Sequence, residues 1–230
     1  MRTMGIDPFY LIITGVAMLL SFFASKMLKR KFALYSKVPV NMSGKEIAEE
    51  MLRQNGINDV SVISVKGQLT DHYNPMKKTV NLSEVVYNER NVSAAAVSAH
   101  ECGHAIQHAT SYAFLKLRSA IVPAVNISSK FTRIILMVGL GLAATGNTFV
   151  FKIGIGLFAM TTLFTVVTLP VEFDASKRAL KWLKTTSVVP SQDMPKAFDA
   201  LKWAAMTYVV AAVASIGQLF YYIMLLNRRR

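Results

Sequence analysis

The chain has 230 residues, of which 53% are hydrophobic and 17% charged, and it carries an excess of thirteen positive charges. That length allows one or two modest domains, and the apolar excess excludes an ordinary soluble one. The lysines and arginines cluster beside apolar runs instead of lining a face interleaved with aromatics, which indicates membrane flanks and no nucleic-acid partner.

Residues 8–25 contain no charge and run through Phe9, Leu11, Ile12, Leu19, Phe22 and Phe23. Extended by Met27 and Leu28, they are long enough to span a bilayer as a helix. A cleaved signal peptide would place basic residues before the run and a small-residue site after it. Here Asp7 precedes and Lys26, Lys29, Arg30 and Lys31 follow. Residues 1–31 are therefore expected to be an anchor whose far end faces the cytoplasm.

Residues 32–118 read as a small α+β domain. Ser43-Gly44-Lys45-Glu46 is a capping box, with Ile47, Met51 and Leu52 on one helical face and Gly56 as the stop. Val60, Val62 and Val65 suggest a strand, Asp71-His72-Tyr73-Asn74-Pro75 a turn, and Thr79-Val80-Asn81-Leu82-Ser83 a second strand. Ser83 is placed to cap a helical turn through Val86. A strand just upstream of a catalytic helix can take an extended peptide along a free edge, so Val80, Asn81 and Leu82 are candidates for binding substrate main chain. The alternative is that they only complete the sheet.

Next comes Ser98-Ala99-His100-Glu101-Cys102-Gly103-His104, preceded by Ala94, Ala95 and Ala96 with Ser93 as candidate N-cap. A four-residue step on a helix returns His100 and His104 to nearly one face, where both can bind one zinc ion. Glu101 lies beside the first ligand, positioned to take a proton from a zinc-bound water. His108 continues the spacing but falls about 6 Å further along the axis, and is read as a polar residue at the helix end. Cys102, the single cysteine, excludes an internal disulfide and is read as core. His72 and Tyr73 are weak candidates for stabilising an oxyanion.

Residues 119–171 form an apolar hairpin. Lys130 and Arg133 argue for a helix that is water-exposed through Arg133 and inserted from Ile134, and Thr145-Gly146-Asn147 makes the turn. The run after Val150 returns with only Lys152 charged. Residues 172–203 are polar and basic, with Lys177, Arg178, Lys181 and Lys184, and are expected on the cytoplasmic side. Residues 204–230 contain a last apolar run and the tail Arg228-Arg229-Arg230. Four crossings put that tail outside, against the charge bias; either it is an exception that one short tail can make, or one hydrophobic run does not fully cross. The fold expected is a mainly α membrane protein with about four transmembrane helices and a small cytoplasmic zincin-like domain.

A catalytic zinc needs a third protein ligand. Leu169-Pro170-Val171-Glu172-Phe173-Asp174-Ala175-Ser176 offers two carboxylates at the end of an apolar run, where acidic groups are costly unless used. Two residues apart, Glu172 and Asp174 occupy different helical faces, so only one can reach the metal.

These three motifs, in this order and over most of the chain, resemble the YugP-type bacterial membrane zinc metallopeptidases, gluzincin-like enzymes more distantly similar to HtpX and the CAAX-type endopeptidases. The resemblance implies that Glu172, the first acidic residue of an E-x-x-x-D motif, is the third ligand. The final Asp of that motif, which steadies a ligand histidine, falls on Ser176, and Asp174 is the candidate substitute. The implied activity is hydrolysis of membrane or membrane-associated polypeptides at the cytoplasmic face of the bacterial plasma membrane. One zinc sits on His100, His104 and Glu172, with Glu101 as general base. The competing readings are a zinc-bearing membrane scaffold without turnover and a metal transporter. The central parts of residues 8–25, 153–171 and 204–226 lack the ionisable pathway residues that transport needs.

Overall fold

A computed structural model describes residues 7–228. Ten elements follow in order: α1 (Pro8–Tyr35), α2 (Gly44–Gln54), β1 (Ser61–Val65), β2 (His72–Asn74), β3 (Thr79–Ser83), α3 (Glu84–Asn88), α4 (Val92–Ala109), α5 (Ala113–Ala143), α6 (Phe149–Thr186) and α7 (Met194–Asn227). Helix dominates, and α1, α5, α6 and α7 are each long and apolar enough to cross a membrane. The first six residues and the terminal Arg229 and Arg230 lie outside the described residues.

The chain divides into two compact units. The first comprises residues up to Phe23, Leu117–Leu169 and the stretch from Thr207 onward. Its α5–α6 hairpin closes at Gly146, whose φ of +96° is open to glycine at no steric cost, and the Asn147 N–H donates to the Leu142 carbonyl at 3.2 Å. The two helices approach closely: a Cβ on Gly139 would lie 2.6 Å from the Phe151 backbone. Large apolar side chains such as Leu19, Phe22, Ile134, Phe149 and Phe220 remain exposed, a surface matched to lipid tails and not to water.

The second unit comprises Ala24–Lys116 and Pro170–Met206. It joins into one body the stretches 32–118 and 172–203 that the sequence reading separates. Its start is locally encoded. The Glu46 N–H donates to Ser43 Oγ, and the Ser43 N–H donates to Glu46 at 2.7 Å, so the capping box forms as expected. Ile47, Met51 and Leu52 then bury against Val80, Leu82, Val92, Ala99 and Leu183 in a continuous core. Lys31, at the C-terminal end of α1, pairs with Asp199 of α7 at 2.7 Å, and Tyr35 donates to the same carboxylate.

The sheet has the order β1-β3-β2, with β1 parallel and β2 antiparallel to β3. This corrects two expectations. His72–Asn74 is a strand and not a turn; the turn comes next, where Asn74 Oδ1 accepts from the N–H groups of Met76 and Lys77 at 3.0 Å. The strand β3 is central: Leu82 pairs with Ser64 of β1, while Val80 and Asn81 pair with both neighbours and have no free edge for a peptide. Four of its five residues are buried, as a central strand requires.

Ser93 is not the cap of α4. The extended Asn91 takes that place, accepting from the Ala94 N–H at 2.9 Å, while the Ser93 hydroxyl donates to the Phe32 carbonyl at 2.8 Å. Ser83 precedes α3 without a side-chain capping bond; its hydroxyl and N–H donate instead to Asp71.

Candidate metal centre

The central helix α4 is nearly enclosed, which leaves its few polar side chains with specific tasks. His100 and His104 stand one turn apart with ring centroids 4.8 Å apart and planes at 83°. Glu172, 3% exposed, enters from α6. Its Oε2 lies 3.3 Å from His100 Nε2 and 3.7 Å from His104 Nε2. The three ligand atoms lie within 4.8 Å of one another.

The two edges to Glu172 are close to those of a zinc site, and the two imidazole nitrogens would draw together on an ion. Zn–N and Zn–O bonds near 2.0–2.1 Å in a tetrahedron put neighbouring ligand atoms about 3.3–3.5 Å apart. The His100–Glu172 edge meets this already, and the His104–Glu172 edge needs a shift of a few tenths of an ångström. Two imidazoles and one carboxylate form the donor set of a catalytic zinc site with a position left for water. Among the described residues, no fourth histidine, cysteine or carboxylate joins the cluster.

The polar atoms behind the ligands are also engaged. Ser176 Oγ lies 3.1 Å from His100 Nδ1. Asp174 does not take that place. It belongs to the other histidine, through a residue the sequence reading passed over. Gln107 is completely buried; its Oε1 is 3.0 Å from His104 Nδ1, and its Nε2 donates to the Val171 carbonyl at 2.7 Å and to Asp174 Oδ2 at 2.9 Å. Arg178 Nε donates to the same carboxylate oxygen at 2.6 Å. The sequence did hold a signal: an amide one turn beyond the second histidine and close to its face.

Burial pulls the His104 pKa down, but the hydrogen bond to Glu172, the charges of Glu101 and Glu172 and the contact with Gln107 outweigh it, so the pKa is raised. Glu101 is 7% exposed, on the turn that carries His100. Cys102 is fully buried and its thiol donates to the Ala48 carbonyl; burial pushes its pKa well up, and it is packing, as expected. The approach of α4 to α6 depends on Gly103, where a Cβ would lie 2.6 Å from the Ala175 carbonyl oxygen.

The weaker candidates make contacts of their own. His108 is not a member of the cluster; its exposed ring meets the Tyr73 hydroxyl at 2.9 Å. His72 is exposed, with Nδ1 held by the Thr70 carbonyl at 2.8 Å.

Two helical histidines and a buried carboxylate form a candidate metal site in a chain with four helices long and apolar enough to cross a membrane. The chain belongs to the family described as "Putative neutral zinc metallopeptidase", whose pattern matches residues 10–227. It is 40% identical over 223 residues to the "Putative membrane protease YugP" of Bacillus subtilis (strain 168), a match covering 96% of this chain and 98% of that one. No solved structure matches it. The family, the relative and the apolar helices together make this a membrane protein, with a His–His–Glu cluster that could bind a metal.

Proposed function

We propose that the protein is a gluzincin-type zinc endopeptidase that cuts membrane or membrane-associated polypeptides. The observation that carries the reading is the convergence of Glu172 with His100 and His104 from a distant part of the chain. His100, His104 and Glu172 would hold the ion. Bound there, zinc supplies Lewis acidity to the scissile carbonyl and lowers the pKa of a water. Glu101, at the second position of H-E-x-x-H, takes the proton released in the attack and returns it to the departing amine. Ser176 and Gln107 steady the two imidazoles from behind. A cluster of three donors supports turnover over a closed structural site, because a scaffold has no use for an open position.

The relation to HtpX and CAAX-type endopeptidases rests on Glu172 standing first in an E-x-x-x-D-like stretch, with Ser176 in the last place. We place the site on the cytoplasmic side of a multi-pass bacterial plasma-membrane protein, because Lys26, Lys29, Arg30 and Lys31, and again Lys177, Arg178, Lys181 and Lys184, flank the apolar runs beside it. The deciding experiment compares metal content and casein-type proteolysis of the purified wild type with Glu101→Gln and Glu172→Ala. Wild-type protein that binds zinc and cuts, beside a Glu101→Gln protein that binds and does not cut, bears the reading out. Equal cutting by Glu101→Gln ends it.

A further inference from the structure

We infer that Gln107 is a positioning residue that fixes which nitrogen His104 offers to the metal and ties that histidine to the segment carrying Glu172. The inference rests on the zinc reading above and goes beyond it, because the family motif and the three ligands do not require this amide.

The orientation of the amide follows from its neighbours. The Val171 carbonyl and the Asp174 carboxylate are acceptors, and both lie within 3 Å of one end of Gln107, so that end is the NH2 group. The opposite end is then the carbonyl oxygen, which only accepts, and it faces His104 Nδ1 at 3.0 Å. The Nδ1 must carry the hydrogen. In a neutral ring this leaves the lone pair on Nε2, the nitrogen that faces Glu172 at 3.7 Å. A carboxylate or hydroxyl behind His104 would not set the choice through its own back-side partners in this way; an amide with one end committed does.

The same side chain links two parts of the site. Its NH2 group holds the backbone of Val171, the residue directly before Glu172, while its oxygen holds the His104 ring. Asp174, whose Oδ2 also takes Arg178 Nε, closes the arrangement. Ligand and counter-ligand are thus set against each other through one fully enclosed side chain. Burying an amide costs free energy unless every bond is made, and here both ends are satisfied.

The test has two arms, both on the full-length protein in detergent. In the first, zinc affinity is measured by chelator competition for wild type and Gln107→Met, a substitution of similar length without hydrogen bonds. The expected loss is about 10–100-fold, the range seen when a partner behind a ligand histidine is removed. Equal affinities overturn the inference while leaving the zinc reading intact, and a wild type that binds no zinc overturns that reading itself. The second arm stays decisive if the variant fails to fold. Wild type with isotope-labelled histidine is loaded with NMR-active cadmium, and metal–nitrogen couplings identify the coordinating atom. Coupling to Nε2 of His104, with a proton on Nδ1, is expected; coupling to Nδ1 overturns the inference.

Discussion

Glu172 Oε2 stands 3.3 Å from His100 Nε2, although one residue belongs to α6 and the other to α4. A buried carboxylate held against two imidazoles is an arrangement that could bind a cation, because enclosed charge is costly unless it is paired.

The first expectation concerns the groups that bind against the group that reacts. Glu101→Gln keeps the shape of α4 and removes a base, so it retains about one zinc per chain and loses at least 10²–10⁴ of the hydrolytic rate. His104→Ala and Glu172→Ala lose the metal first. Elemental analysis beside a peptidase assay separates the two outcomes.

The second is a pH dependence with a defined sign. The raised His104 pKa means that the folded, metal-free protein holds this proton more tightly than the unfolded chain, whose value is about 6.5. The stabilisation is fully present below that unfolded value and is lost as pH rises through the folded one. Metal-free protein should melt higher at about pH 6 than at about pH 8, while zinc affinity rises over the same interval because the ion displaces the proton. A metal-free protein that gained stability toward pH 8 would contradict this.

Ser176 gives a graded test. Ser176→Ala removes the partner of His100 Nδ1 and should weaken zinc binding by about tenfold. Ser176→Asp puts a carboxylate at the position where the resembling E-x-x-x-D motif has one, and is expected to bind zinc at least as tightly as wild type. Chelator titrations of the three proteins give the order directly.

Gly103→Ala tests the helix contact. Its Cβ would meet the Ala175 backbone at 2.6–3.1 Å, where no flexible side chain can move aside. Overpacking of about 1–3 kcal/mol should exceed the gain of up to about 1 kcal/mol from replacing a helical glycine. Lower thermal stability and weaker zinc binding are expected together, since the displaced backbone lies between Glu172 and Ser176.

Much of this was legible in the sequence, because much of it is local. The capping box Ser43–Glu46 and the His100–His104 spacing depend only on neighbours along a helix. Helical spacing also showed that Glu172 and Asp174 could not both reach one ion; the family resemblance then favoured Glu172. What stayed hidden depends on distant partners. Strand order is such a property: β3 lies between β1 and β2, and nothing within Val80 and Asn81 reports that both their edges are taken. The three-residue β2 is held by its pairing to β3 and carries residues otherwise typical of turns. The role of Gln107 depends on which α6 carbonyl it meets, and Asp174 proved to serve His104, not His100.

The discontinuity of the site-bearing unit has a consequence for biosynthesis. A ribosome delivers the histidine pair long before it delivers their carboxylate, with an entire apolar hairpin made in between. Until residues 170–206 emerge and fold back, the nascent chain has no complete metal triad. The His–His–Glu cluster therefore forms only after about three quarters of the chain has been translated.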